Sequence, residues 1–396
     1  MLLSIALIIF SGLIFGFFCK QMHLPALVGM IIGGILIGPN GLGLLDESIL
    51  NCSAAIRKIA LIIILLRAGI TLQMSDLKKM GRPAILMCFL PACFEIVGMI
   101  ILAPIFLGVT RLEAAIMGAV VGAVSPAVIV PRMISLIEKK EGTAKGIPQL
   151  VLAGASVDDV FVIVLFTAFT GKATGDGSSI LSFVNVPVSI ICGIGVGILV
   201  GILLSLYFTK FHVRDTVKLM VLLGLAMLLC VGEDALTERI PFTFSALLSI
   251  MTMGMVIKMK KGETAARLSV RLNKIWVLAE IFLFVLVGAL VKVENAADYG
   301  IEALLLVLAV LVFRALGVFL CVLKTKLNGK EKLFCIFAYL PKATVQAAIG
   351  GIPLAMGLAC GDMVLTVSVL AILITAPLGA ILIDSLHKKL LQKDME

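Results

Sequence analysis

Apolar runs of about 17–25 residues recur along the whole chain, each long enough for a helix to cross a bilayer. Thirteen can be placed, near residues 2–18, 24–43, 55–72, 82–108, 112–133, 147–170, 180–208, 216–232, 241–258, 274–292, 299–322, 333–352 and 361–386. Composition agrees: 61% of the 396 residues are hydrophobic and only 14% charged, where a soluble domain carries about 25%. Alternating strands of about 10 residues are absent, which argues against an outer-membrane barrel. The expected fold class is an all-α polytopic membrane protein. The first run, from Leu2, has neither a basic leader nor a small-residue cleavage site, so a retained span is expected. The nine cysteines lie within apolar runs, or just before one at Cys52, without metal-ligand spacing, and read as small apolar residues.

The loops alternate sharply in charge. Those after odd-numbered spans, with the C-terminal tail, hold 24 Lys and Arg, including Lys78, Lys79, Lys139, Lys145, Arg267, Arg271 and Lys393. Those after even-numbered spans hold 6: Arg57, Lys58, Arg111, Lys172, Arg239 and Lys292. The positive-inside rule then places the N-terminus outside and the C-terminus in the cytoplasm of a multi-pass protein of the cell membrane. The formal charge of +9 is thereby topological and calls for no nucleic-acid partner.

Seven charges fall inside apolar runs: Arg67, Arg314 and Lys342, with Glu95, Asp158, Asp159 and Glu280. Each costs about 2.5–3.5 kcal/mol at the centre of a membrane helix on insertion scales, so the fold must build a polar interior. Asp158 and Asp159 sit at the midpoint of the sixth span. Neighbours on a helix point about 100° apart, so one carboxylate can face a wet cavity while the other faces a neighbouring helix. A structural ion pair would need only one acid. Two suggest a site for a cation, for protons, or for both in competition. Arg314 suits a buried carboxylate, with Asp158 and Glu95 both candidates. Arg67 lies about one turn from the end of its span and is expected to snorkel. Glu280 reads equally as a polar contact or a cavity wall.

Two spans are broken near their middles. Span five reads GAVVGAVSPAVIVP, with Ser125-Pro126, and span twelve reads AYLPKATVQAAIGG, with Pro341-Lys342. A mid-helix proline frees backbone groups that lipid cannot satisfy, so such breaks belong beside protein or a cavity. One break alone is an ordinary kink. Two breaks in spans of opposite direction predict an inverted repeat, spans 2–6 matching 9–13, whose half-helix ends meet near the midplane. Lys342 would neutralise half-helix C-termini there, with Ser125, Thr344 and Gln346 supplying hydroxyl and amide groups. Glycines at spacing four (Gly29 and Gly33 beside Gly34; Gly193, Gly197, Gly201) fit close helix packing, within the chain or between two copies.

At these residues the chain resembles the cation/proton antiporter superfamily, specifically a bacterial homologue of its NHA-type sodium/proton branch. The motifs are GAVVGAVSPAVIVPRM (118–133), GASVDDVFVI (154–163), YLPKATVQAAIGG (339–351) and LLRAGITL (65–72), within a likeness covering nearly the whole chain. The resemblance implies thirteen spans with two unwound crossing helices. It implies an ion-binding core near 82–170 and 299–386, and a dimer scaffold near 1–72 and 180–292. It implies elevator-type exchange of Na+ or Li+ for protons by a homodimer, without a cofactor and without enzymatic activity. Asp159 would be the principal ion and proton carrier with Asp158 beside it. Arg314 and Lys342 match membrane-embedded bases of the family core. Glu95, Ser125, Pro126, Thr344 and Gln346 are expected to support the site. The acid of the Thr-Asp-Pro motif found in other branches is absent, as in this one, and Glu280 has no family role to carry over.

Other readings remain. A K+/H+ antiporter or an organic-anion/Na+ symporter could use the same architecture, although the latter would favour a less acidic crossing. An intramembrane aspartyl protease would need acids on two helices, and LACGDM (358–363) lacks the first glycine of its motif. No carbonyl filter loop of a channel is present.

Overall fold

A computed structural model describes residues 1–71, 81–174, 180–211, 213–237 and 244–392. Of the loop bases counted above, Lys78, Lys79, Arg239 and Lys393 lie outside them. The described residues form helices and short connections: α1 (Leu2–Gln21), α2 (Ala26–Ile37), α3 (Glu47–Asn51), α4 (Ser53–Thr71), α5 (Arg82–Met87), α6 (Leu90–Leu107), α7 (Arg111–Val121), α8 (Pro126–Glu138) and α9 (Ile147–Ala173). They continue with α10 (Ile180–Lys210), α11 (Asp215–Thr237), α12 (Ala246–Lys260), α13 (Gly262–Leu290), α14 (Val293–Val322), α15 (Gly329–Ala338), α16 (Thr344–Ile349), α17 (Ile352–Ala355) and α18 (Gly361–Leu390). Every predicted apolar run thus contains helix. Among the described residues, nine helical stretches are long and apolar enough to cross a membrane. The other runs hold the short α2 and α12, the interrupted α15–α17, and α4, which carries Arg57, Lys58 and Arg67.

Local chemistry sets the boundaries. Thr110 and Glu113 form a reciprocal capping box at the start of α7, and Asn328 and Glu331 form another on α15. Gly108, at φ 65°, closes α6 in the left-handed conformation that a β-carbon disfavours. Large apolar side chains such as Phe10, Phe17, Ile105 and Leu199 are exposed, as a lipid-facing surface requires.

The chain packs into two compact units, taken over their described residues. One comprises Met1–Ala54, Gln73–Ala173 and Ile281–Glu396, the other Ala55–Leu72 and Thr174–Glu280. In the second unit Gly193, Gly197 and Gly201 lie against Ser245, Ser249 and Val256, so α10 and α12 approach closely. In the first, Gly29 meets the backbone at Phe15 and Gly34 the backbone at Val285. These glycine faces are filled within the chain. One expectation for a base needs correction. Arg57, counted with the loops, is buried inside α4 with Nε and Nη1 lacking hydrogen-bond partners. Arg67, expected to snorkel, is partly buried in the second unit, within electrostatic reach of Glu280, an arrangement compatible with that expectation.

Candidate ion-binding site

Four segments of the first unit meet where α7–α8 and α15–α16 are interrupted. The first break, residues 122–125, is a consequence of Pro126. Proline has no N–H to offer the carbonyl four residues back, which is Gly122. Arg314 Nη1 on α14 donates to that carbonyl instead, at 2.5 Å. The Ser125 N–H turns away from its own helix and donates to the Pro341 carbonyl at 2.8 Å, which pins one break onto the other. The Val121 carbonyl, released in turn, accepts from Lys342 Nζ at 2.7 Å and from Gln346 Nε2 at 3.1 Å. Gln346 Nε2 also reaches the Ala123 carbonyl at 2.8 Å. On the other side of the break the Val124 N–H donates to Asp158 Oδ2 at 2.8 Å. Side chains from distant spans thus satisfy what the broken helix cannot, as a membrane interior demands.

The charges interlock. Arg314 extends Nη1 to Glu95 Oε2 at 2.6 Å, Nη2 to Asp158 Oδ2 at 3.2 Å and Nε to the Tyr339 carbonyl at 2.6 Å. The sequence left Asp158 and Glu95 open as its partner; the guanidinium takes both. Lys342 Nζ lies 2.7 Å from the Glu95 carboxylate, and its backbone N–H donates to Thr375 Oγ1 at 3.0 Å. Packing holds Glu95 and Arg314 in register. Gly98 on α6 faces the Phe313 ring, and Gly317 on α14 faces the backbone of Pro91, so the two helices touch on both sides of the ion pair.

Two bases therefore serve two acids, Asp158 and Glu95. Asp159 is left over: among the described residues it takes part in no ion pair, and its Oδ1 has no hydrogen-bond partner. It also keeps slight exposure, 6% against 0% for Asp158. Ser125 Oγ, Asp158 Oδ1, Thr344 Oγ1 and Gln346 Oε1 are likewise buried without partners. Oxygen atoms of this kind are the ligands a hard cation prefers. Both aspartates project from the single helix α9, whereas an aspartyl protease would need them on two. Two contributors escaped sequence reasoning. The Tyr339 carbonyl and ring both meet Arg314, and the Val124 amide fixes Asp158. The tyrosine stands beside the Pro-Lys break, which was its only signal.

A family model described as "Sodium/hydrogen exchanger, transmembrane" matches residues 5–389. The mouse protein named sodium/hydrogen exchanger 9B2 is 34% identical over 405 residues, covering 97% of this chain and 72% of its own. Its human counterpart is 34% identical over 390 residues, covering 93% and 70%, and human sodium/hydrogen exchanger 9B1 is 31% identical, covering 93% and 73%. Among solved structures, the sodium proton antiporter MjNhaP1 of Methanocaldococcus jannaschii, at pH 8, superposes with a TM-score of 0.86 at 21% identity, covering 98% of this chain and 97% of its own. That likeness is one of fold.

Proposed function

The chain belongs to the sodium/hydrogen exchanger family, and on that premise we propose that Asp159 is the group that carries sodium and protons in turn. The protein is a membrane-embedded sodium/proton antiporter. What supports the reading of Asp159 is its position as the crossing acid that has no basic partner in an ion pair among the described residues. A bare carboxylate taken out of water costs several kcal/mol, so it is stable there only with a proton or a cation bound. Occupancy by one excludes the other, and a carrier that crosses only when occupied couples the two fluxes.

Asp158 has the opposite setting. Arg314 and the Val124 N–H satisfy its Oδ2, which suits a fixed charge that attracts the cation. Its Oδ1, with Ser125 Oγ and Thr344 Oγ1, would complete the shell around Na+ or Li+. One titrating acid implies one proton per cation and electroneutral exchange. The dense bonding of the crossing favours its motion as one body, an elevator-like step of a core (82–170 and 299–386) against a scaffold (1–72 and 180–292). We place the chain in the cell membrane as a homodimer of thirteen-span protomers, N-terminus outside and C-terminus cytoplasmic.

Reconstituted liposomes test this. Sodium-driven proton movement should be seen with the native protein and vanish with Asp159→Asn, while that variant still elutes as a folded particle. Retained exchange in Asp159→Asn would remove Asp159 as the carrier. Offering Na+, Li+ and K+ in turn defines the cation, and a rate that follows imposed voltage would contradict one-for-one exchange.

A further inference from the structure

We propose that Tyr339 is a positioning residue that fixes the Arg314 guanidinium against Asp158, so that Asp158 stays a paired charge and only Asp159 exchanges its proton. The inference rests on Asp159 being the carrier, and goes beyond it by naming what keeps the second aspartate out of the proton count.

Tyr339 is fully buried and holds Arg314 in two ways. Its carbonyl, freed at the end of α15, accepts from Arg314 Nε at 2.6 Å. Its ring lies under the guanidinium carbon, 5.2 Å from the centroid, a cation–π geometry that aligns the planar fork. The tyrosine is itself tethered at its far end. Its hydroxyl donates to the Met87 carbonyl at 2.9 Å, at the end of α5. That hydroxyl passes over Gly154, where a β-carbon would come within 2.7 Å of the oxygen and 2.8 Å of Met87 Cβ. Gly154 lies one turn before Asp158 on α9. The missing side chain lets the tyrosine bridge α5, α9 and α14 at the level of the acids. A guanidinium free to tilt would keep its shorter bonds to Glu95 and Gly122 and lose the longest of its set, the 3.2 Å bond to Asp158. Asp158 would then share the predicament of Asp159 and take up a proton as well.

The signature is thermodynamic and independent of how much protein folds. With membrane voltage clamped at zero, net flux stops when the sodium gradient equals the proton gradient raised to the number of protons exchanged per sodium. Against a tenfold proton gradient the native protein should come to rest at a tenfold sodium gradient. Tyr339→Leu, which keeps the carbonyl but removes ring and hydroxyl, should come to rest above tenfold, towards a hundredfold, and its rate should respond to voltage. Tyr339→Phe loses only the tether to Met87, and Gly154→Ala displaces it. Both should shift the resting gradient in the same direction by less, and they answer the question should the leucine variant fail to fold. A merely structural tyrosine would lower the rate of all three and leave the resting gradient at tenfold; that result overturns the proposal. Failure of the underlying reading shows separately, as exchange surviving in Asp159→Asn.

Discussion

Two charge clusters in this molecule use the same chemistry to different ends. In the second unit Asp215, at the start of α11, is shared by three bases: Arg267 at 2.9 Å, Lys218 at 3.6 Å and Arg271 at 4.0 Å. Bases are in excess, and the side chains of Arg267 and Arg271 are 52% and 42% exposed. At the crossing in the first unit acids are in excess and every charged partner is buried. Water can replace either arginine of the first cluster, although Lys218 and Asp215 are themselves largely covered. It cannot replace members of the second, whose donors also hold backbone groups that two broken helices have left open. An excess charge in water is a surface potential, whereas an excess charge in the interior needs a ligand.

The largest expected break between the two comes from Arg314→Ala. The change leaves Asp158 without its base, Glu95 with Lys342 alone, and the Gly122 and Tyr339 carbonyls without the guanidinium that serves them. Removing one partner of a buried ion pair costs about 3–5 kcal/mol, so the variant should melt far below the native protein in detergent, or fail to accumulate. The comparison sharpens with Lys342→Met and Glu95→Gln. Each single change should destabilise, and the double change should cost less than their sum, because it removes the lysine and the carboxylate charge together. Additive losses would mean that the 2.7 Å contact between them carries little coupling.

Gln346→Ala probes the uncharged part of the crossing. Its amide serves the Val121 and Ala123 carbonyls. Val121 keeps Lys342 as a second donor, so only the Ala123 carbonyl is left bare. The expected cost is about 1–3 kcal/mol, the desolvation penalty of one unpaired buried group, with exchange slowed but still coupled. A neutral effect in a melting assay would mean that water or a neighbour takes over that carbonyl.

Much of this centre is legible in the sequence because each of its parts is costly in lipid. Asp158-Asp159 in an apolar run, and Pro126 and Pro341 in mid-span, have few uses other than a polar crossing, and the structure brings them together. The partner choice of Arg314 is not legible. It depends on how deeply α6 and α14 sink into each other at Gly98 and Gly317, and a glycine gives no hint of which helix will approach it. Tyr339 is hidden for a related reason. It acts through a carbonyl, which every residue has, and through a ring that any core could contain. Arg57 misleads because its place near the start of a span looks like a loop, while α4 carries it inward. The glycine stripes admit two meanings, and only packing shows that partners within the chain already fill them.

The smallest effect is expected from Arg267→Ala. Its Nε pairs with Asp215 at 2.9 Å, as close as many buried contacts, and distance alone would rank it beside the crossing. Exposure decides otherwise. Lys218 and Arg271 remain to neutralise Asp215, and water solvates whatever is released. Exposed pairs of this kind contribute about 0–1 kcal/mol, less in high salt. The variant should therefore melt within about a degree or two of the native protein, the difference should shrink as salt rises, and the sodium-driven exchange rate should be unchanged. A loss as large as that of Arg314→Ala would show that the cluster around Asp215 is sealed from solvent in the bilayer, and the contrast between an excess of bases in water and an excess of acid in the interior would no longer separate the two regions.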